Sequence, residues 1–143
     1  MRMTLVLGTF LACTRLAAAE GAAATPTEVV DRQLAAYNAR NVEAFLKFYA
    51  PDAELFEFPD KLLARGTVAL RERYRTRFAD SILHATVAHR TAMGNKVIDH
   101  EKVRITWPDG PGTWELTAIY EVNGGLITRV WFIYGEKTVN PKN

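Results

Sequence analysis

Residues 96–107 read KVIDHEKVRITW. A β-strand points alternate side chains to opposite faces. Val97, Asp99, Glu101, Val103, Ile105 and Trp107 then share one face, and Ile98, His100, Lys102, Arg104 and Thr106 share the other. The first face is the more apolar one, yet two carboxylates stand in its middle. An ionised carboxylate against apolar surface is costly unless it is paired, hydrated or protonated. If this face lines the interior, the interior must contain a polar cavity. The competing reading is a β-bulge near Ile98, which would turn Asp99 or Glu101 out to solvent.

The segments around this strand have the same character. Residues 82–93, 113–122 and 126–135 read as further strands. Gly94-Asn95, Pro108-Asp109-Gly110-Pro111-Gly112 and Asn123-Gly124-Gly125 mark the turns between them, the last being a strong hairpin signal. Ahead of the strands the period is helical. Thr25-Pro26-Thr27-Glu28 forms a capping box with proline at the first helical position. It predicts a helix over 26–39 with Val30, Leu34 and Tyr37 on its apolar stripe. Asn41 caps a second helix over 42–49, and Ala50-Pro51-Asp52 ends it. Residues 53–59 (AELFEFP) read as a strand, 60–65 as a turn with a short extended piece, and 68–79 as a third helix. Leu70, Tyr74 and Phe78 recur on that helix at i, i+4 and i+8. Arg71, Arg73, Arg75 and Arg77 fall as two i, i+4 pairs on the flank away from Leu70 and read as a solvated face, an acidic partner being the lesser alternative. Helices first and an antiparallel meander after give an α+β layout.

The chain has 143 residues, 48% of them hydrophobic, which suits one domain with one core. Residues 1–19 have the pattern of a secretory leader. Met1-Arg2-Met3 is a short basic start, residues 4–14 an apolar run too short to span a bilayer, and Ala17-Ala18-Ala19 a cleavage site. The expected organisation is a leader over 1–19, a linker over 20–25, a domain over 26–137 and a tail over 138–143. The protein is expected to be exported, periplasmic or secreted; lipidation at Cys13 is the lesser alternative, because Phe10-Leu11-Ala12 is an imperfect lipobox. Without Arg2 and Arg15 the 18 basic residues fall level with the 16 acidic ones. That balance argues against a nucleic-acid binder. Cys13 is the only cysteine and leaves with the leader, so the mature domain relies on packing rather than disulfides.

Four residues are the candidates for chemistry. Glu57, between Phe56 and Phe58, would be a desolvated general base if it points inward; the competing reading is a surface glutamate paired with Lys61 or Arg65. Asp99 and Glu101 would share a proton or orient a histidine or water. His84, alternating with Leu83 and Ala85, would join them from a neighbouring strand. His100 falls on the opposite face. No H-x-H or H-x-x-x-H spacing occurs, so no metal is expected. Phosphate-loop, nucleophile-elbow and dinucleotide fingerprints are also absent. Tyr37, Tyr120, Trp114, Phe132 and Tyr134 read as core or pocket wall. The last strand is apolar on both faces, with Val130, Phe132 and Tyr134 against Ile127, Trp131 and Ile133. A second apolar face predicts a homodimer through the sheet.

Three strings resemble the ketosteroid-isomerase-like (SnoaL-like) branch of the nuclear transport factor 2-like superfamily. They are VVDRQLAAYNARNVEAFLKFYAPDAELFEFP, GTVALRERY and IYEVNGGLITRVWFIYGEK, together spanning roughly residues 26–137. The resemblance implies a cone-shaped, curved, mainly antiparallel sheet wrapped around the N-terminal helices, a cystatin-like α+β barrel with a deep apolar pocket. It would place Asp99 and Glu101 on the pocket side and favours the His84 face as pocket-lining. It puts Glu57 at or beside the family's catalytic base. The family's oxyanion-hole tyrosine and neutral acid fall on Gln33 and Ala118, neither of which supplies that chemistry. Tyr49 and Tyr74 match tyrosines that back up the pocket, and Gln33, Tyr37, Tyr74, Ala118, Tyr120, Phe132 and Tyr134 are the expected substrate contacts. The architecture hosts many activities. Two readings follow: a cofactor-independent isomerase or dehydratase acting on a hydrophobic small molecule through a carboxylate base, and an exported, non-catalytic binding module.

Overall fold

The computed structural model describes residues 23–140; the leader read over 1–19, most of the linker and residues 141–143 lie outside them. Three helices precede and interrupt the first strands, and a four-strand meander follows. The elements are α1 (Pro26–Asn38), α2 (Val42–Leu46), β1 (Tyr49–Glu57), β2 (Lys61–Arg65), α3 (Gly66–Phe78), β3 (His84–Met93), β4 (Lys96–Trp107), β5 (Gly110–Asn123) and β6 (Leu126–Val139).

The capping box forms as its residues dictate. The Glu28 N–H donates to the Thr25 hydroxyl, and the Thr25 N–H donates to the Glu28 carboxylate at 2.7 Å. At α2 the Asn41 side chain accepts from the Ala44 N–H at 3.0 Å. That helix stops at Leu46 rather than running to 49. Tyr49 is instead taken into the sheet, where it pairs with Ile127, and the Ile127 N–H donates to the Phe48 carbonyl at 2.8 Å. Pro51 has no N–H for a ladder, and the β1–β6 register breaks between Tyr49 and Glu54.

The sheet has six strands in the order β2-β1-β6-β5-β4-β3. Only β1 and β6 pair in parallel; the other neighbours are antiparallel. The sheet does not close, and β2 and β3 are its edges. Gly124 and Gly125 turn between β5 and β6 with φ of 58° and 79°, the left-handed pair a two-residue hairpin demands. Beyond the expected end, β6 continues to Val139. Gly112 pairs with Val139, and the Asn140 N–H donates to the Pro111 carbonyl, so residues 138–139 belong to the sheet rather than to a tail.

Bulges decide which side chains face inward. Strand β4 pairs with β5 without interruption from Lys96↔Glu121 to Trp107↔Gly110. Val97, Asp99, Glu101 and Val103 are therefore all buried, while His100, Lys102 and Arg104 are exposed. The slip that would have turned a carboxylate outward occurs on β3 instead. Val87 faces Glu101 and His89 faces His100, so Ala88 is the extra residue, and Arg90 lands opposite Asp99. A second bulge lies near Thr128. It buries Ile127 completely, against the outward position expected for it, and leaves Arg129, Trp131 and Ile133 on the outer face.

The core fills the space between the inner face and the helices. Phe45, with no exposed surface, sits among Tyr37, Tyr49, Tyr74 and Phe78, with ring centroids 4.3–6.1 Å away. These tilted and edge-on contacts are the preferred aromatic geometries. They fix α1 and α3 side by side over the sheet.

Candidate active site

A cavity opens between α1, α3 and the inner face of the sheet. Space open to a water's centre is about 30 Å³, and the whole cleft, with its open mouth, about 470 Å³. Helix α1 contributes Gln33, Leu34 and Tyr37; α3 contributes Arg73, Tyr74 and Arg77. The sheet contributes Ala85, Glu101, Val103, Leu116, Tyr120, Phe132 and Tyr134. Among these lining residues Glu101 is the only carboxylate.

Glu101 is 6% exposed, and the Tyr120 hydroxyl donates to its Oε1 at 3.1 Å. Burial pushes its pKa up from the ordinary 4.5 to about 7, helped by the negative charge of Asp99 and opposed by the Tyr120 hydrogen bond and by Arg90. Tyr120 is itself raised well above 10 by burial, so it stays protonated and remains a donor.

Asp99 is held by an arginine rather than by Glu101. The Arg90 guanidinium grips it at both oxygens, Nε to Oδ1 at 2.6 Å and Nη2 to Oδ2 at 2.7 Å, and also pairs with Asp31 on α1. Such a fork fixes orientation as well as charge. Asp99 has no exposed surface and is absent from the cavity wall. Its role is to place a buried negative charge two residues from Glu101.

Gln33 is 3% exposed, and its Nε2 donates to the Tyr49 hydroxyl at 3.1 Å. Its Oε1 is buried without a partner. An amide has two polar ends; among the described residues one is used and the other has no partner.

Three expected site residues lie elsewhere. Glu57 shares the inner face with Phe132, its partner across β1 and β6, but it is the last residue of β1. There it is half-exposed and pairs with Lys61 at 2.9 Å, outside the cavity. His84 faces away from the cavity, opposite Arg104. Ala85 pairs with the buried Val103 and points inward, so alternation turns His84 outward; Asn38, at the end of α1, holds both backbone groups of Ala85, at 2.9 and 2.8 Å. Ala118 has no exposed surface; it is packed in the core between Asp99 and Phe132 and does not reach the cavity. Among the described residues, no group of three His, Cys, Asp or Glu side chains is placed to hold a metal ion.

Two charged lining residues were not expected. Arg71 and Arg75 do form the solvated flank of α3, paired with Glu43 and Glu72. Arg73 and Arg77 turn the other way. The signal was available: Arg77 stands seven residues after Leu70, and seven residues of α-helix return to within about 20° of the starting direction.

Residues 30–130 match the SnoaL-like domain. The chain belongs to this family. Among solved structures it is similar to a cystatin-fold protein from Novosphingobium aromaticivorans, with TM-score 0.71 and 23% identity over 77% of this chain and 98% of that one. It is also similar to a protein of ketosteroid isomerase-like fold from Catenulispora acidiphila in complex with trimethylamine, with TM-score 0.66 and 18% identity over 78% of this chain and 88% of that one. A third is an epoxide hydrolase/cyclase-like enzyme of pyran-ring formation in the polyether salinomycin, with TM-score 0.69 and 16% identity over 77% and 90%. At these identities the likeness is one of fold. No curated protein matches the chain significantly. Within the SnoaL-like frame, the carboxylate that reaches the cavity is on β4 rather than at the end of β1.

The raised pKa of Glu101 makes stability depend on pH with a definite sign. Below pH 4.5 the group is protonated whether folded or unfolded, and costs nothing. Between 4.5 and about 7 the folded chain retains a proton that the unfolded chain releases, so stability falls as pH rises. Glu101→Gln removes this penalty. Its stability relative to the unchanged protein, measured by urea unfolding, is expected to improve by up to about 3 kcal/mol between pH 4.5 and 8. A gap that does not change with pH would contradict the assignment.

Proposed function

We propose that this SnoaL-like protein is a small-molecule enzyme of the isomerase or cyclase type, with Glu101 as its general acid–base. The observation that carries this reading is one buried carboxylate, poised near neutrality, on the wall of a cleft and hydrogen-bonded to a tyrosine. A group with a pKa near the working pH combines the right protonation state with useful driving force. In its ionised form Glu101 takes a proton from a carbon next to a carbonyl. The C–H electron pair moves into an enolate, and return of the proton at another carbon gives the isomer. Gln33 lines the same cleft, and its amide oxygen is unpartnered among the described residues, which makes it a candidate to orient the substrate. Phe132, Tyr134, Leu116 and Val103 give the apolar wall expected for a hydrophobic substrate.

One observation favours the second reading, a binding module. The two positions where the family's oxyanion donors stand hold Gln33 and the core-packed Ala118, so the ketosteroid-type hole is not rebuilt. Hydrogen–deuterium exchange separates the two. In D₂O, with a panel of enolisable ketones and oxo acids, the protein is expected to catalyse exchange at the carbon next to the carbonyl, with a rate that rises through pH 7. Glu101→Gln should slow it by about 10²–10⁴-fold. Absence of exchange across the panel favours the binding module; exchange at an unchanged rate in the variant removes Glu101 as the base.

We also propose a homodimer through the outer face of the sheet. There Phe56 stacks on Trp131, and Ile133 is 44% exposed. Across the strands Trp131 stands beside Ile119, and Ile119 beside Ile98, giving an apolar row. Sedimentation is expected to give a dimer at micromolar concentration; a clean monomer would contradict this.

A further inference from the structure

Arg73 and Arg77 line the same cleft as Glu101, and among the described residues neither makes a salt bridge. The other arginines near them on α3, Arg71 and Arg75, are both paired. Arg77 is half-buried, and its guanidinium stands 6.0 Å from the centre of the Trp114 ring. Both arginines stand close enough to Tyr37 and Tyr134, on the same cleft wall, to favour negative charge there. A cation withdrawn from water without a counter-charge is costly, and an anion entering the cleft relieves that cost. Glu101 does not serve as that anion: its hydrogen bond comes from Tyr120, and its charge is opposed by Arg90 rather than by the α3 pair.

We propose that the ligand of this cleft is a carboxylic acid, its carboxylate held by Arg73 and Arg77 and its apolar body laid toward Glu101. The guanidinium fork matches a planar carboxylate at two points. Phe132 and Tyr134 stack 6.0 Å apart and supply a flat apolar wall beside the arginines. The proposal rests on the acid–base reading of the same cleft, because it assigns which end of the substrate faces α3 and which faces β4.

Sodium benzoate and benzamide have nearly the same shape and differ in charge. Isothermal titration of the purified protein at fixed ionic strength and pH 8 is expected to show benzoate binding at least tenfold more tightly than benzamide. Arg73→Gln and Arg77→Gln should each weaken benzoate at least tenfold while leaving benzamide unaffected. Where a glutamine variant fails to fold, Arg77→Lys replaces it; this keeps the charge, loses the fork and should still weaken benzoate. Glu101→Gln is expected to bind benzoate at least as tightly as the unchanged protein. Equal binding of the two probes, no benzoate binding at millimolar concentration, or insensitivity to both arginine changes overturns the proposal. If these binding results fail while Glu101→Gln still abolishes deuterium exchange, the carboxylate inference alone is lost. If they hold while no exchange occurs, the acid–base reading is lost and the anion site stands.

Discussion

Two carboxylates two residues apart on the buried face of one strand are the constraint around which this protein is built. Left alone, Asp99 and Glu101 would repel each other in a medium that solvates neither. Arg90 resolves the conflict by taking one of them. Its bidentate grip on Asp99 holds that charge in place, and its further pairing with Asp31 ties the arrangement to α1. Glu101 is left with a tyrosine hydrogen bond and a proton affinity near neutrality. The bulge at Ala88 is what makes this possible, since without it His89 rather than Arg90 would face inward.

The same arrangement explains why the cleft lies where it does. The aromatic cluster around Phe45 fills one end of the space under the sheet and sets the separation of α1 and α3. Beyond it, Tyr37 and Tyr74 pass from core to cavity wall. The inner face then offers the Glu101 carboxylate on β4, while α3 offers Arg73 and Arg77, neither in a salt bridge among the described residues. Within the SnoaL-like frame, the carboxylate on the cleft wall thus stands in the middle of β4 and not at the end of β1.

Much of the architecture was legible in the chain because its signals are local. The Thr25–Glu28 capping box, the Leu70-Tyr74-Phe78 stripe and the Asn123-Gly124-Gly125 turn each declare an element within a few residues, and each forms. Alternation along 96–107 placed Asp99 and Glu101 inward, and uninterrupted pairing with β5 keeps them there. Several misreadings arise because a residue's surroundings depend on where its strand ends and how it pairs. Glu57 lies on the inner face, but β1 ends at that residue, beyond the cavity. Pairing with β4 sets the orientation of His84, and the bulge at Thr128, seen only in the pairing with β5, sets that of Ile127. Arg73 and Arg77 were set aside with their solvated neighbours because four alternating arginines look like one flank, although the helical angle divides them in two.

The account stands on Glu101 holding its proton to near neutral pH inside the folded protein. Carbon-13 NMR of its side-chain carboxyl, followed from pH 4 to 9, reads that directly. The expected titration midpoint is about 7; a midpoint at the ordinary value of 4.5 would contradict the account.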